Sequence, residues 1–393
     1  MILSIEPRTL VTNVTIYEEE KIIPNGYIVI HGEKIASIGS TMNHTLYKSC
    51  DEVIDGKGLI AIPGFIDGHI HGANGADVMD ATTEALDVMA RSLPEEGTTA
   101  FLATSLTQAP GAIERALENV ATYENKSGCA EVVGIHLEGP FIDESKAGAQ
   151  PKQYILKPSK QLFDKWQKLA GNKIKTVTLA PEHDKDGRFI QYLSKQNIVV
   201  SAGHTTATYE QMTDAIKHGL SQVTHLCNAM SGLHHRDIGV VGSALFLENL
   251  KSELIADGIH VSKEMIQLIY KNIGSSRLLL ITDAIRAKCL QAGTYDLGGQ
   301  GVTVAGGRAT LHDGTLAGSI IKMNEAAQKM QEYVGASIAE IIEMTSTNPA
   351  KQLGIFNRKG SLKVGKDADL LLVDEHLHIA YTFCRGKLAF RRK

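Results

Sequence analysis

The chain has few of the features that mark secreted, membrane or disulfide-stapled proteins. Its 393 residues include only five cysteines, and these are Cys50, Cys129, Cys227, Cys289 and Cys384. The set is odd in number and widely spaced without a Cys-x-x-Cys motif, which argues against a disulfide framework or a zinc knuckle. No apolar run approaches the ~18 residues of a membrane span, and residues 1–7 lack the basic segment and apolar core of a secretory signal. We therefore expect a cytoplasmic protein that does not cross a membrane.

An excess of charge of one sign is also missing. The formal net charge is -4, and lysine and arginine are scattered apart from a short basic run at 391–393. This distribution argues against nucleic acid as a partner. A hydrophobic content of 43% supports a sizeable core, and the length suits one large domain with a smaller one.

The two ends of the chain have β-type patterns, whereas the middle alternates strands with helices. Because chain termini commonly lie close together, residues 1–62 and 355–393 predict one small β-sandwich. Residues 63–354 carry eight candidate strands separated by helical segments, which is typical of βα units around a parallel sheet. We predict an α/β fold with a (β/α)8 TIM-type barrel, and an open, doubly wound sheet is the alternative.

The predicted elements have the following bounds. The terminal strands are predicted at 10–17, 26–31, 34–38, 52–62, 360–364, 370–373 and 379–390. The barrel strands are predicted at 62–66, 98–103, 131–137, 176–180, 198–202, 222–225, 253–256 and 278–282. Helices are predicted at 83–93, 111–124, 159–169, 188–196, 209–218 and 263–273, with a capping box at 208–211.

Six side chains of metal-binding type stand at or just beyond the predicted strand ends. They are His69, His71, Glu138, His204, His225 and Asp283. Functional groups of a parallel barrel gather where strands end and βα loops begin, so these six are expected to meet on one rim. Each has a structural alternative, such as a helix cap for His204 or Asp283 and a hydrogen-bonded core histidine for His225. Six together on one rim favour a metal centre.

Four imidazoles and two carboxylates suit one or two divalent transition-metal ions, namely zinc, iron, manganese or cobalt. Cys227, two residues after His225, is a weaker candidate ligand, and His136 is expected to pack one layer below Glu138. Such a centre lowers the pKa of a water molecule and polarises a carbonyl, so we expect amide or ester hydrolysis. Asp283 is the expected general base and then general acid.

The chain resembles the amidohydrolase superfamily, and within it the deacetylases of amino-sugar phosphates. The resemblance covers nearly the full length and rests on motifs at 63–72, 136–141, 202–205, 225–230, 256–260, 282–284 and 314–319. It implies a metal-dependent barrel with a small β-sandwich, usually a homodimer, that converts N-acetylglucosamine 6-phosphate into glucosamine 6-phosphate and acetate.

The resemblance also implies the roles of the six ligands. Glu138, His204 and His225 would hold the main ion, and Asp283 would be the catalytic acid and base. Some members lack the pair that matches His69 and His71 and use one ion. Since the pair is present here, we favour two ions with Glu138 between them.

Substrate contacts are implied for a further set: Gly139, Gln150, Asn228, Ala229, Arg236, His260, Leu316, Ala317 and Gly318. Arg236 offers a permanent charge and a planar fork for phosphate, whereas its structural alternative is a solvated pair with Asp237. Gln150 departs from the family pattern, which has a histidine near the reacting carbonyl. Glutamine donates a hydrogen bond but cannot become an imidazolium. We expect deacetylation to persist with one fewer titrating group, and N-acetylgalactosamine 6-phosphate is an alternative substrate.

Two other functions agree less well with the sequence. Amidohydrolases such as cyclic amidases and deaminases that use a carboxylated lysine need it at the end of the fourth strand, where residues 178–182 are Thr-Leu-Ala-Pro-Glu. A non-catalytic barrel would have lost ligands, but all six are present.

Overall fold

The computed structural model describes residues 7–41 and 47–393 of the chain. The 1–7 segment considered above for a secretory signal lies outside the described residues except for its last position. Residues 42–46, within the predicted 1–62 part of the sandwich, also lie outside them. Two eight-stranded sheets organise the described part of the chain.

One sheet joins strands from both ends of the chain. Its strands are Arg8–Tyr17, Ile22–His31, Lys34–Gly39, Glu52–Asp55 and Ile60–Pro63, then Leu370–Val373, Ile379–Cys384 and Lys387–Arg391. The two ends meet where Ile60–Pro63 pairs antiparallel with Leu370–Val373. Ile16, Leu372 and Phe383 belong to a hydrophobic core that is separate from the core of the barrel. The small β-domain from both termini is confirmed, while its division at 1–62, 63–354 and 355–393 stays a prediction.

The second sheet is the barrel, and its strands run parallel in chain order. They are Phe65–Ile70, Thr98–Thr104, Glu131–Glu138, Ile174–Leu179, Val199–Ala202, Leu220–Val223, Lys251–Leu254 and Leu278–Leu280. The sheet closes because the backbone N–H of Asp283 donates to the carbonyl of His69 at 2.8 Å and that of His71 donates to Ala284 at 2.9 Å. The (β/α)8 prediction is therefore confirmed over the doubly wound alternative.

Helices cover the outside of the barrel. They are Thr83–Ser92, Pro110–Thr122, Lys160–Leu169, Arg188–Ser194, Tyr209–His218, Gly239–Phe246, Lys263–Ile273, Met323–Val334, Ile338–Ile342 and Asn348–Gln352, with a π-helical turn at Glu343–Thr347. The capping box predicted at 208–211 is present between Thr208 and Gln211. None of the helices in the described ranges has both the length and the apolar character required to cross a membrane.

Several predicted bounds were wrong. The strand predicted at 62–66 is divided at Gly64, because Ile60–Pro63 lies in the terminal sheet and Phe65–Ile70 in the barrel. A Cβ at Gly64 would lie 2.2 Å from Oγ1 of Thr99, so this change of sheet needs glycine. Residues 360–364 make only an isolated bridge. The helix Gly239–Phe246 was missed because it is buried along most of its length and has no amphipathic period.

Two small sheets interrupt the barrel near its rim. The strands Gly72–Ala73 and Ala76–Asp77 form a short pair after the first barrel strand. After the eighth strand, Gly293–Leu297, Gln300–Ala305 and Arg308–Thr310 form an antiparallel sheet. Leu297 in this second insertion reaches the cavity described below.

Candidate active site

All six predicted metal ligands lie at the C-terminal end of the barrel. His69 lies within the first strand and Glu138 ends the third, while the others follow the first, fifth, sixth and eighth strands. Measured over the whole residue, each is at most 8% exposed. The parallel arrangement brings together residues that are more than 200 positions apart in the chain, as the prediction required.

The carboxylate of Glu138 is the centre of the cluster. Its Oε1 lies 3.2 Å from Nε2 of His204, 3.2 Å from Nε2 of His225 and 3.4 Å from Nε2 of His69. Its Oε2 lies 3.3 Å from Nε2 of His71. The Nε2 atoms of His204 and His225 are themselves only 3.1 Å apart. Four imidazoles therefore direct the same ring nitrogen at one carboxylate.

Asp283 completes the cluster from the eighth strand. Its Oδ1 lies 3.4 Å from Nε2 of His69 and 3.2 Å from Nε2 of His71. Its backbone is fixed on both sides, because its N–H donates to His69 and its carbonyl accepts from the N–H of Ser319, each at 2.8 Å. The side chain is 11% exposed and lines the cavity, so it is within reach of a bound molecule.

Three of the predicted ligands have left-handed backbone conformations. The φ angles are 48° at His204, 32° at His225 and 48° at Asp283. Residues other than glycine seldom adopt this region, and such strain concentrates at functional sites. At each of these three residues the backbone therefore turns away from the direction of the preceding strand.

The rings of two predicted ligands, His204 and His69, are oriented through their second nitrogen. Nδ1 of His204 lies 2.8 Å from the carbonyl of Lys146, and Nδ1 of His69 lies 3.0 Å from Oε2 of Glu253. A proton on each Nδ1 leaves the Nε2 lone pair free for a cation. His136 is fully buried with Nε2 2.7 Å from Oγ1 of Thr178, in agreement with its predicted place below the site.

Sequence reasoning missed two buried carboxylates behind the ligands, Glu253 and Asp67. Asp67 accepts from the N–H of His69 at 3.2 Å and from Oγ1 of Thr282 at 2.6 Å, which ties the first strand to the eighth. Asp67 stands two residues before His69 on the same strand, and this spacing was a usable signal. Glu253 was visible only as the charged first residue of the strand predicted at 253–256, whose other three residues are apolar.

The charges of the cluster stabilise one another. Burial lowers the pKa of His71, but the carboxylates of Asp283 and Glu138 outweigh it and raise the pKa to about 10. Burial also opposes protonation of His69, yet Glu138, Asp283 and Glu253 hold its pKa well above the usual value. In turn, burial raises the pKa of Glu138, but the neighbouring imidazoles hold it well below its ordinary range. The site therefore favours positive charge between ionised carboxylates.

This donor set fits divalent cations. Nε2 of His69 is buried without a hydrogen-bond partner although two carboxylates lie near it. Two groups of ligand atoms, each within 4.8 Å of one another, share Glu138: one adds His69 and His71, and the other adds His204 and His225. Nitrogen donors mixed with carboxylate oxygen suit zinc and its neighbours in the transition series. Cys227 belongs to neither group.

The cluster forms the floor of a cavity of about 340 Å³. Six of the predicted substrate residues line it: Gln150, Asn228, Ala229, His260, Leu316 and Gly318. His260 is held by Asp257, whose Oδ2 lies 2.6 Å from its Nδ1. A volume in this range accommodates one small, polar ligand.

Three predicted substrate residues are not among those that line the cavity: Gly139, Arg236 and Ala317. Gly139 has a φ of 69°, and a Cβ there would lie 2.1 Å from Oγ1 of Thr107, so glycine is required beside Glu138. Arg236 is exposed, with Nη1 2.6 Å from Nε2 of His235. Ala317 is buried in the core of the antiparallel insertion. Their contacts with substrate stay predictions.

Comparisons of sequence and of structure with known proteins point to the same family. Residues 60–389 match the amidohydrolase family. The chain is 48% identical over 388 residues to the N-acetylglucosamine-6-phosphate deacetylase of Bacillus subtilis, covering 98% of each. The crystal structure of the corresponding enzyme from Thermotoga maritima has a TM-score of 0.87 at 33% identity, covering 98% of this chain and 100% of that one. A mutant deacetylase from Mycobacterium smegmatis in complex with N-acetyl-D-glucosamine-6-phosphate has a TM-score of 0.89 at 26% identity, covering 98% and 99%.

Proposed function

The chain belongs to the amidohydrolase family, and we propose that it hydrolyses N-acetyl-D-glucosamine 6-phosphate to D-glucosamine 6-phosphate and acetate. The observation that carries this proposal is the convergence of four imidazole Nε2 atoms on the Glu138 carboxylate, beside Asp283, at the floor of a cavity. The similarity to deacetylases of this sugar phosphate supports the choice of substrate.

Two divalent ions are proposed for the centre. Glu138, His204 and His225 would hold the main ion, and His69 and His71 would hold the second with Glu138 and Asp283 adjoining it. Zinc, iron, manganese or cobalt would lower the pKa of a water molecule and polarise the amide carbonyl. The unpartnered Nε2 of His69 and the two ligand groups that share Glu138 support this assignment.

Asp283 is the proposed catalytic residue. Burial raises its pKa, but His69 and His71 outweigh this and keep the carboxyl below its usual pKa, so it is ionised at neutral pH. It can therefore accept a proton from the water that attacks the acetyl carbonyl. It then returns the proton to the sugar nitrogen, which hydrolysis requires because an amine anion is a very poor leaving group.

The substrate is proposed to bind through the residues predicted from the sequence: Gly139, Gln150, Asn228, Ala229, Arg236, His260, Leu316, Ala317 and Gly318. Six of them line the cavity. The Asp257 contact orients the His260 ring and leaves its other nitrogen for a ligand. Arg236 is exposed, but we keep it as the proposed phosphate contact because its guanidinium has a permanent charge and a planar fork of donors.

We also propose that the protein is a homodimer in the cytoplasm. The homodimer rests on the family resemblance. The cytoplasmic location is supported by the five cysteines, which are odd in number and widely spaced. Light scattering at several protein concentrations tests the dimer, since a monomeric mass throughout would exclude it.

The function is tested by acetate release from protein stripped of metal and then supplied with zinc, iron, manganese or cobalt. We expect release only with metal, and far faster from N-acetylglucosamine 6-phosphate than from unphosphorylated N-acetylglucosamine. N-acetylgalactosamine 6-phosphate is the matched epimer control. Faster release from this epimer would replace the proposed substrate, and no release from any of the three would overturn the proposal.

A further inference from the structure

Glu253 is a buried carboxylate that contacts two metal-ligand residues but would not itself bind the ions. It lies in the seventh barrel strand, Lys251–Leu254, and is 2% exposed. Its Oε2 lies 3.0 Å from Nδ1 of His69 and accepts the backbone N–H of His225 at 3.3 Å. Its Oε1 accepts from Nε2 of Gln222 at 2.7 Å. Both oxygens are therefore occupied, and neither faces the cavity.

The negative charge of Glu253 has no lysine or arginine beside it within the described part of the chain, where its sole ion-pair partner is His69. A buried carboxylate is costly unless an opposite charge compensates it. In the metal-free protein the His69 ring supplies that charge, and a cation on the far side of the ring, where Nε2 lies 3.4 Å from both Glu138 and Asp283 without a hydrogen bond, would take its place. A divalent cation at that position would offset much of the negative charge of the three carboxylates.

We propose that Glu253 is a positioning residue of the metal centre, which holds the proton of His69 on Nδ1 and directs the Nε2 lone pair at the ion. This inference rests on the proposed metal centre. A carboxylate behind a ligating histidine fixes the ring tautomer and raises the ring's basicity, and losing such a partner typically costs about 10- to 100-fold in metal affinity.

Glu253 also links the two proposed ion positions. The ring of His69 belongs to one position, whereas His225 belongs to the other and has a left-handed backbone with a φ of 32°. The bond from the N–H of His225 to Glu253 helps to hold that conformation. Since a side-chain contact reaches His69 and only a backbone contact reaches His225, loss of the Glu253 charge should weaken the His69 position more.

The test is cobalt binding to Glu253→Gln. Glutamine has nearly the same shape, and its amide can satisfy Gln222 if that side chain turns, so the variant removes charge more than volume. Metal-stripped protein is titrated with Co²⁺ against a chelator, and the visible absorption of bound cobalt reports the coordination. We expect the Co²⁺ position that includes His69 to lose about 10- to 100-fold in affinity, with a smaller change at the position that includes His225.

Glu131→Gln is the matched control, since Glu131 is a buried carboxylate at the start of the third strand and pairs with Arg358 away from the centre. If Glu253→Gln does not fold, Glu253→Asp carries the test, because it keeps the buried charge but its shorter side chain withdraws the carboxylate from Nδ1 of His69, and it should weaken cobalt binding in the same direction. Cobalt affinity and spectra unchanged in the folded variant would overturn the proposal.

The cobalt measurement does not depend on the sugar substrate. Tight cobalt binding without acetate release would reject the proposed function and leave the role of Glu253 to be decided by the variant. Wild-type protein that binds no Co²⁺ would overturn both.

Discussion

The side-chain amide of Gln150 donates from Nε2 to Oε2 of Glu138 across 2.6 Å. Its orientation is settled by Thr107, whose backbone N–H can only donate and lies 2.7 Å from Oε1 of Gln150. The amide nitrogen must then face Glu138. The sequence predicted a contact between Gln150 and the substrate, and the residue does line the cavity. In addition, it holds the carboxylate on which four histidines converge.

Substitution of Gln150 should therefore damage the site and the fold together. Gln150→Leu leaves the buried N–H of Thr107 without an acceptor, which costs about 1–3 kcal/mol of stability, and it frees Glu138 to rotate. We expect a lower urea midpoint and a lower kcat/KM for acetate release. Gln108→Leu is the control, because Gln108 bonds to Gly298 and not to Glu138. Equal effects of the two substitutions would contradict a special role for Gln150.

Asp283→Asn should remove the proton transfer while nearly preserving the shape of the site. General acid-base catalysis contributes about 10²- to 10⁴-fold, so we expect kcat to fall by that factor. The fold should persist, because the backbone bonds of Asp283 to His69 and Ser319 do not involve the carboxylate. Steady-state acetate release and a thermal melt check this prediction. A variant that retains more than a tenth of the wild-type kcat would assign the proton transfer to another group.

Metal uptake should strengthen as pH rises. In the metal-free protein the pKa of His71 is raised to about 10, so this ring keeps its proton at neutral pH and must release it to bind a cation. Apparent Co²⁺ affinity should increase by up to tenfold per pH unit for each proton released between pH 6.5 and 9. Chelator competition at several pH values measures the slope, and His71→Asn should reduce it. Affinity independent of pH would show that the ring is already neutral.

The same raised pKa sets the direction of the stability change in metal-free protein. His71 binds its proton more tightly folded than unfolded, so its contribution is complete below an unfolded pKa of about 6.5 and is lost as pH rises toward 10. Urea midpoints of metal-free protein should fall over this range. His71→Asn should flatten the fall, and an equal fall in that variant would point to other groups.

The sequence allowed prediction of the barrel, and of the residues that converge at its rim, for one physical reason. In parallel strands the carboxyl ends meet, so His204 and His225 could be placed together without any knowledge of side-chain packing. The contact of Glu253 with His69 could not be predicted, because it depends on which way a strand residue faces and on the barrel register. Likewise, the charge of Arg236 indicated a phosphate ligand, but its exposed position follows from loop geometry that residue type does not determine.

A buried ion cluster lies between the barrel and the terminal sheet. Lys359 is 1% exposed and contacts Asp369, and its Nζ lies 2.8 Å from Glu131 and 3.4 Å from Asp367. Burial lowers the pKa of Lys359, but these carboxylates raise it above the usual value. Lys359→Met would leave the buried carboxylate of Asp369 without its ion-pair partner. Losing one partner of a buried pair lowers the free energy of unfolding by about 3–5 kcal/mol.

Urea denaturation checks this, with Lys363→Met as the control because Lys363 is 46% exposed in its pair with Glu19. Surface pairs of this kind contribute at most about 1 kcal/mol. Glu131 begins the third strand and Glu138 ends it, so at about 3.3 Å per residue the ion cluster lies a full strand length from the proposed metal centre. We therefore expect the KM of folded Lys359→Met to match wild type. A change in KM without loss of stability would mean that the terminal sheet acts on the substrate cavity.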